Sequence, residues 1–325
     1  MIAIITQNAI HGGVETIIEI HARLLGAPVF VAGGLDNPYR TCPFEYTRTD
    51  TPEALTKALI GTDAIIYHWL PRWATDAIKA TGIPAIEYIH RIDTADGDRS
   101  VPKLTIAHSQ HLVDFIQNTT GNEAVLAPYP IEVDGYPQTK GGPRVGGITS
   151  YYPIKGIEKI IEAWGKVGEC SKEWLLTFYG AGPYVPEYQV TAAQAGIGVH
   201  LLGPAQDPKT AWEEYRLAIS ASRIEGGTPL AILEALACGV PAIVPKLPGC
   251  LELAQKARQR RVTLPLYFHD GTPEDIAMLI NIALRNDIES GQTQAAMRAL
   301  FPPGIHIEWL KYAIEEVQGW AKKTS

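Results

Sequence analysis

Short apolar runs alternate along this chain with longer segments whose apolar positions recur every three or four residues. Residues 1–6, 29–32, 64–67, 85–89, 104–107 and 124–127 have the length and composition of buried strands. Between them, 14–25 carries Val14, Ile17, Ile18 and His21 to Leu25 on one side, and 52–59 and 110–118 also have helical spacing. Ser109 stands where the last of these needs an N-cap. The alternation restarts after residue 144, with strands over 145–150, 175–179, 199–202, 240–244 and 264–268 and helices over 157–166, 273–284 and 306–320. Strand–helix alternation of this kind predicts parallel sheets with crossover helices, whose ligands gather at the C-terminal ends of the strands.

The expected architecture is α/β: two Rossmann-like, doubly wound parallel-sheet domains facing a cleft. The first covers 1–135 and the second 145–304, joined by a linker over 136–144 within the Pro- and Gly-rich stretch that includes Pro128, Pro130, Pro137, Gly141, Gly142 and Pro143. A terminal helix over about 305–325, with Ile307, Leu310, Ile314, Val317 and Trp320 on one face, is expected to pack back on the first domain. Met297, Trp309 and Trp320 are read as anchors of that packing.

The most informative stretch runs from Ser222 to Val244 and reads loop, helix, strand. Thr228 is the expected N-cap, Pro229 suits the first helical position, and Leu230, Ile232, Leu233, Leu236 and Ala237 make a wide apolar stripe that Gly239 ends. Gly226 and Gly227 let backbone amides approach a ligand where a helix leaves its first N–H groups unpaired, so this is an expected anion site with phosphate as its usual occupant. Glu225 and Glu234 flank it. Carboxylates repel phosphate, so their partners are the hydroxyls of whatever carries it.

Composition narrows the classes. The chain has 325 residues, 46% hydrophobic and 19% charged, with a net charge of −7, enough for two cores. Residues 1–140 hold 10 Lys or Arg against 16 Asp or Glu, a balance with no general attraction for DNA or an anionic membrane. The basic run Lys256, Arg258, Arg260, Arg261 reads as a solvated face. Cys42, Cys170, Cys238 and Cys250 lack metal-ligand spacing and read as reduced thiols, with no metal expected. The chain opens on a strand-like run without a basic leader, and no stretch is long enough to span a bilayer. The expected location is cytoplasmic, or peripheral to the inner face of the membrane. His68 and His90 each directly follow a strand, at the rim where such folds place their sites.

The stretch from Ser222 to Val244 resembles the signature of retaining glycosyltransferases of family 4, which have the GT-B fold. One residue departs from the pattern: Glu225 and Glu234 enclose eight residues where the family has seven. The resemblance implies a donor nucleotide-sugar held by the second domain, an acceptor hydroxyl held by the first, and no metal cofactor. It implies that Glu225 contacts the transferred sugar and Glu234 the ribose, with the diphosphate against the segment Gly226, Gly227, Thr228, Pro229 and Leu230, whose N–H groups, Pro229 excepted, face it. Lys155 in Lys155-Gly156 matches the family's diphosphate-binding lysine, whereas Ser150 stands at the position of its arginine. Arg144, Arg223 or Arg91 are the candidate replacements. Gly180 and Gly182 resemble the Gly-x-Gly-Pro turn near the nucleotide, and Gly203 the turn beside the base. Gly12 and Gly13, within His11-Gly-Gly-Val-Glu15, resemble the family's glycine loop against donor phosphate or acceptor. His90, with Arg91 and Asp93 in the same loop, resembles the histidine that touches the donor sugar.

The function implied is transfer of a sugar from a nucleotide-diphosphate sugar to a saccharide, lipid or other hydroxyl compound with retention of configuration. Three alternatives remain open at this point: a nucleotide-sugar 2-epimerase, a sugar-nucleotide binding protein without turnover, and transfer to a modified DNA base.

Overall fold

The computed structural model describes residues 1–324 except 10, 11, 35–41, 92–100, 102, 103, 128 and 288. The chain divides into two compact units, Met1–Pro130 with Gly304–Ser325, and Ile131–Pro303.

Unit 1 is built from β1 (Ile2–Thr6), α1 (Gly13–Leu25), β2 (Val29–Val31), β3 (Thr47–Arg48), α2 (Pro52–Ala58), β4 (Ala64–His68), α3 (Arg72–Thr81), β5 (Ala85–Ile89), β6 (Leu104–Ala107), α4 (Gln110–Thr120) and β7 (Ala124–Leu126). Its seven strands are parallel and ordered β3-β2-β1-β4-β5-β6-β7. The strand order reverses between β1 and β4, whose final residues Thr6 and His68 are paired. Ser109 caps α4 as read, its hydroxyl accepting the Leu112 amide at 3.1 Å.

Unit 2 contains β8 (Arg144–Ile148), α5 (Ile157–Trp164), β9 (Leu175–Tyr179), α6 (Val185–Gln194), β10 (His200–Leu202), α7 (Pro208–Trp212), β11 (Tyr215–Ile219), α8 (Leu230–Ala237), β12 (Ala242–Pro245), α9 (Pro248–Gln259), β13 (Leu266–His269), α10 (Pro273–Arg285) and α11 (Ser290–Leu300). Its six strands, also parallel, run β10-β9-β8-β11-β12-β13. The Pro- and Gly-rich segment 136–144 is tied into this unit: Thr139 donates its amide to Cys238 O at 2.7 Å and its hydroxyl lies 2.9 Å from Tyr215 O. The terminal helix α12 (Ile305–Thr324) belongs to unit 1, with Leu310, Ala313 and Val317 buried; the side chain of Trp320 lies outside the described residues.

Unit 1 buries an unusual chain of imidazoles. His21 of α1 shares a hydrogen bond with His306 of α12 (2.7 Å), and His68 Nδ1 with His90 Nε2 (2.8 Å). The rings of His21, His68, Tyr88 and His90 stand 5.0–5.6 Å apart, and His108 follows at 6.3 Å from His90. Burial, reinforced by the repulsion each imidazolium would feel from the next, holds His21 and His68 neutral, and burial alone pushes His90 down to about 3. Among the described residues no three His, Cys, Asp or Glu side chains are grouped to hold a metal ion.

The linkage has a definite sign. Histidines in the unfolded chain take up protons below about pH 6.5, while these remain neutral, so their contribution to stability is present above that pH and lost as the pH falls. Each costs up to about 1.4 kcal/mol per pH unit in that range. The thermal unfolding midpoint is therefore expected to drop steeply between pH 6.5 and 5, and less steeply in His68→Gln. A pH-independent midpoint over this window would contradict the buried neutral chain.

Candidate functional site

The loop between β11 and α8, residues 220–229, is fixed by contacts from three other segments of unit 2. On one side lies a one-turn 3-10 helix, Pro153–Lys155. Gly156, at φ +66°, leaves no room for a side chain: a Cβ there would stand 2.2 Å from Ala221 O. This close approach lets the Arg223 amide donate to Ile154 O at 2.8 Å, with the Ser222 hydroxyl 3.3 Å from the same carbonyl. On the other side the start of α9 rests on the loop, and a Cβ on Gly249 would stand 2.2 Å from Gly227 Cα. The root of the loop is held at the end of β13, where His269 Nε2 lies 2.8 Å from Ser220 O.

That clamp brings Lys155 to Glu225. Lys155 Nζ donates to Glu225 Oε1 at 2.6 Å, and both side chains are mostly buried. Gly226, Gly227 and Thr228 are buried behind them, and Pro229 and Leu230 are half-buried. Thr228 is not the N-cap expected of it. The helix begins one residue later than the pattern implied, at Leu230, with Pro229 in the cap position. The Thr228 hydroxyl instead donates to Gly249 O at 2.9 Å, because the start of α9 presents a carbonyl there. No side chain caps the first amides of α8.

Glu234, in the second turn of α8, is only 6% exposed. Its charge adds to burial in raising the Tyr136 phenol and the Cys238 thiol, so the carboxylate acts on both of those groups. Ser150 is half-buried just beyond β8. Tyr151 next to it packs under the Gly180-Ala-Gly182 turn, donating from its hydroxyl towards Leu202 O at 2.6 Å. Gly180 and Gly182 meet the chain itself: a Cβ on either would stand 1.7 Å from Thr149 O or 2.3 Å from Tyr151 O. Gly203 faces open space.

Two of the candidate replacement cations lie in unit 2. Arg144 opens β8, at the strand end away from Ser150, and is hydrogen bonded to the Tyr179 hydroxyl. Arg223 is on the clamped loop itself, with its guanidinium half exposed and paired with Glu158 at 2.5 Å.

The remaining candidates stand at the strand ends of unit 1. Gly12 precedes α1 in extended conformation with no side-chain cap, and Gly13 is its exposed first residue. The Glu15 carboxylate lies against this turn, 3.1 Å from where a Cβ on Gly12 would be. His90 is half-buried, with Nε2 engaged by His68 and the ring neutral. Arg91 is half-buried beside it, while His11 and Asp93 lie outside the described residues. The basic run ends α9: Arg258, Arg260 and Arg261 are exposed, and Lys256 stands 4.9 Å over the Phe301 ring.

Two features escaped the sequence reading. Gly249 had a local signal, Pro248-Gly249 opening a helix, but the partner it makes room for is distant in sequence. Asp96-Gly97-Asp98 is an Asp-x-Asp pair of the kind that binds divalent cations, and it lies outside the described residues.

Residues 142–286 match the sequence pattern of the family described as Glycosyl transferases group 1. Over 93 residues the chain is 33% identical to an exopolysaccharide phosphotransferase of Streptomyces coelicolor, a stretch that covers 28% of this chain and 10% of that relative. HepE of Anabaena, solved in complex with UDP and glucose, superposes with a TM-score of 0.74 at 16% identity over 99% of this chain and 98% of its own. The pneumococcal O-GlcNAc transferase GtfA, in complex with UDP and GlcNAc, gives 0.63 at 16% identity over 81% and 59%. TarM of S. aureus, in a complex that includes UDP, gives 0.64 at 15% identity over 83% and 58%. The chain thus spans less than two thirds of GtfA and TarM and a small part of the phosphotransferase. Among the described residues no helix is long and apolar enough to cross a membrane. The whole chain has the GT-B fold, two α/β units each with a parallel sheet, and its residues 142–286 carry the pattern of the glycosyl transferases group 1.

Proposed function

We propose that the protein is a glycosyltransferase that moves a sugar from a nucleotide-diphosphate sugar to an acceptor hydroxyl, with retention of configuration and without a metal ion. The observation that carries this reading is the clamped loop 220–229, which sets Lys155 against Glu225 in front of a helix whose first amides have no side-chain cap. A diphosphate arriving there meets a cation and helix amides together. It competes with Glu225 for Lys155 and thereby frees the Glu225 carboxylate for hydroxyls of the sugar. Arg223, on the same loop, is the second cation in this reading and stands in for the arginine that Ser150 replaces.

The chemistry proposed is a front-side displacement. The bond from the anomeric carbon to the diphosphate oxygen breaks as the bond to the acceptor oxygen forms on the same face. The acceptor's proton passes to the leaving phosphate oxygen. Lys155 and the N–H groups of Gly226, Gly227, Thr228 and Leu230 stabilise charge that grows on the diphosphate in the transition state, where such groups accelerate most. Glu234 is assigned to the ribose, and His90, being neutral, to a hydrogen bond with the sugar rather than to proton transfer. The UDP complexes of HepE and GtfA make UDP-sugars the first donors to test, and the acceptor class proposed is an envelope saccharide or lipid.

The reading is tested by thermal shift against UDP-glucose, UDP-GlcNAc and the GDP, ADP and dTDP sugars, each with and without Mg²⁺. A donor at about 100 times its Kd is expected to stabilise the protein by roughly 2.7 kcal/mol in either condition. Stabilisation only with Mg²⁺ would implicate Asp96 and Asp98 and remove the metal-free part of the proposal; no response to any donor would remove the function.

Lys155→Ala is expected to lower kcat by about 100- to 1000-fold, as loss of one group that stabilises transition-state charge does. An unchanged kcat would show that the lysine serves only to hold the loop. Glu234→Ala is expected to weaken nucleotide binding by about 10- to 100-fold, the effect of losing a hydrogen bond to a charged group. Calorimetric titration with UDP reads this directly, and an unchanged Kd would assign the buried carboxylate to the Tyr136 side of α8 alone.

A further inference from the structure

Trp69 is out of place for a residue that serves folding. It follows His68, the last residue of β4, and stands 59% exposed, whereas the neighbouring Leu70 and Trp73 turn inward and pack on the core of unit 1. Its φ of +31° is a conformation that bulky side chains rarely adopt; among the described residues only Arg261 joins it as a non-glycine at positive φ. Asn or Gly would fill this position more easily and an exposed polar side chain would be better solvated. Strain of this kind, held by its surroundings, gathers at functional sites. Here the surroundings are visible: the Gln7 amide donates to Trp69 O at 3.2 Å.

The place matters as much as the residue. Thr6 and His68 are paired at the ends of β1 and β4, so Gln7 and Trp69 emerge side by side where the strand order reverses, the position at which open α/β sheets bind ligands. Gly34 closes the other flank, and a Cβ there would stand 2.2 Å from Gln7 O and 2.4 Å from Asn8 Oδ1. Gln7 and Asn8, both half-buried, therefore stand at the same edge as the exposed indole.

We infer that Trp69, Gln7 and Asn8 form a saccharide subsite, in which a pyranose ring lies on the indole face and its hydroxyls bond to the two amides. The inference rests on the proposed function for the role of that sugar, which it names as the acceptor. Three features select a neutral, hydroxyl-rich ligand. The indole face is electron-rich and attracts the weakly positive C–H bonds that a pyranose presents on one side. The two amides offer both donors and acceptors. Glu15, only 7% exposed, sets a carboxylate against Gly12 at the start of α1, the helix that follows β1. A negative group there disfavours the phosphate that a helix N-terminus would otherwise attract, and with it a stacked nucleotide.

The test uses full-length protein labelled with ¹⁵N at the indole nitrogens, titrated with cellobiose and chitobiose and, in parallel, with uridine and UDP. The disaccharides are expected to shift the Trp69 indole resonance, assigned by its loss in Trp69→Phe. Trp69→Gly removes the ring and suits the positive φ, so it is expected to keep or raise the unfolding midpoint while weakening disaccharide binding at least tenfold. Disaccharides that leave the Trp69 signal unmoved, or bind Trp69→Gly as tightly as wild type, overturn the inference; so does a Trp69 shift produced by uridine alone. UDP binding in the same series reports on the donor site separately: if it fails while the disaccharides still shift Trp69, the saccharide subsite stands and the transferase reading does not.

Discussion

Backbone meeting backbone is the constraint on which unit 2 depends. Three segments far apart in sequence, the turn before α5, the loop before α8 and the start of α9, approach more closely than any side chain permits, at Gly156 against Ala221 and at Gly249 against Gly227. Side-chain packing would leave such loops separated by several ångströms and free to shift. Direct backbone contact removes that freedom and lets short hydrogen bonds, Arg223 to Ile154 and Thr228 to Gly249, close the remaining gaps. Ligand-binding amides need this rigidity, because groups already oriented cost no reorganisation when charge appears.

The same clamp explains the charge arrangement. Lys155 sits on a turn whose position is set by Gly156, and Glu225 on a loop whose position is set by Ala221 and Arg223, so their pairing at 2.6 Å is a consequence of backbone geometry. An ion pair that is partly buried neutralises both members until a stronger partner arrives, and a diphosphate carries more charge than one carboxylate. The pair keeps a lone cation from being stranded among buried glycines. Glu234 is handled differently. It lies within the helix, nearly inaccessible, and its charge is felt by Tyr136 and Cys238.

Much of this was legible in the sequence because it is local. The alternating strands and helices, the Ser109 cap and the helix stopped at Gly239 each depend on neighbours within a few residues. What escaped depends on distant partners. The central strand β11 carries Arg216 in an otherwise apolar run, and its guanidinium finds Asn286 O at 2.6 Å, a partner the strand itself cannot reveal. Thr228 reads as a cap until the carbonyl of Gly249 competes for its hydroxyl. Gly180 and Gly182 suggest a ligand at close range, yet the atoms they admit are those of Thr149 and Tyr151. His90 follows β5, whereas His68 is the last residue of β4 and fully buried, and the rings of His21, Tyr88, His108 and His306 that gather with them come from α1, β5, the end of β6 and α12.

The two sheets share a topology and furnish their strand ends with opposite chemistry. In unit 2 the ends of β8 and β11 lead into a cation, a carboxylate and the first amides of α8, held in a fixed arrangement. In unit 1 the corresponding edge buries uncharged imidazoles, keeps a carboxylate against the start of α1 and turns an indole outward. Burial that forces His68 and His90 to stay neutral also removes the positive charge that imidazolium groups would place at that edge. A doubly wound sheet fixes where a ligand can bind. Which ligand binds is decided by whether the groups at the strand ends carry charge or have been made to give it up.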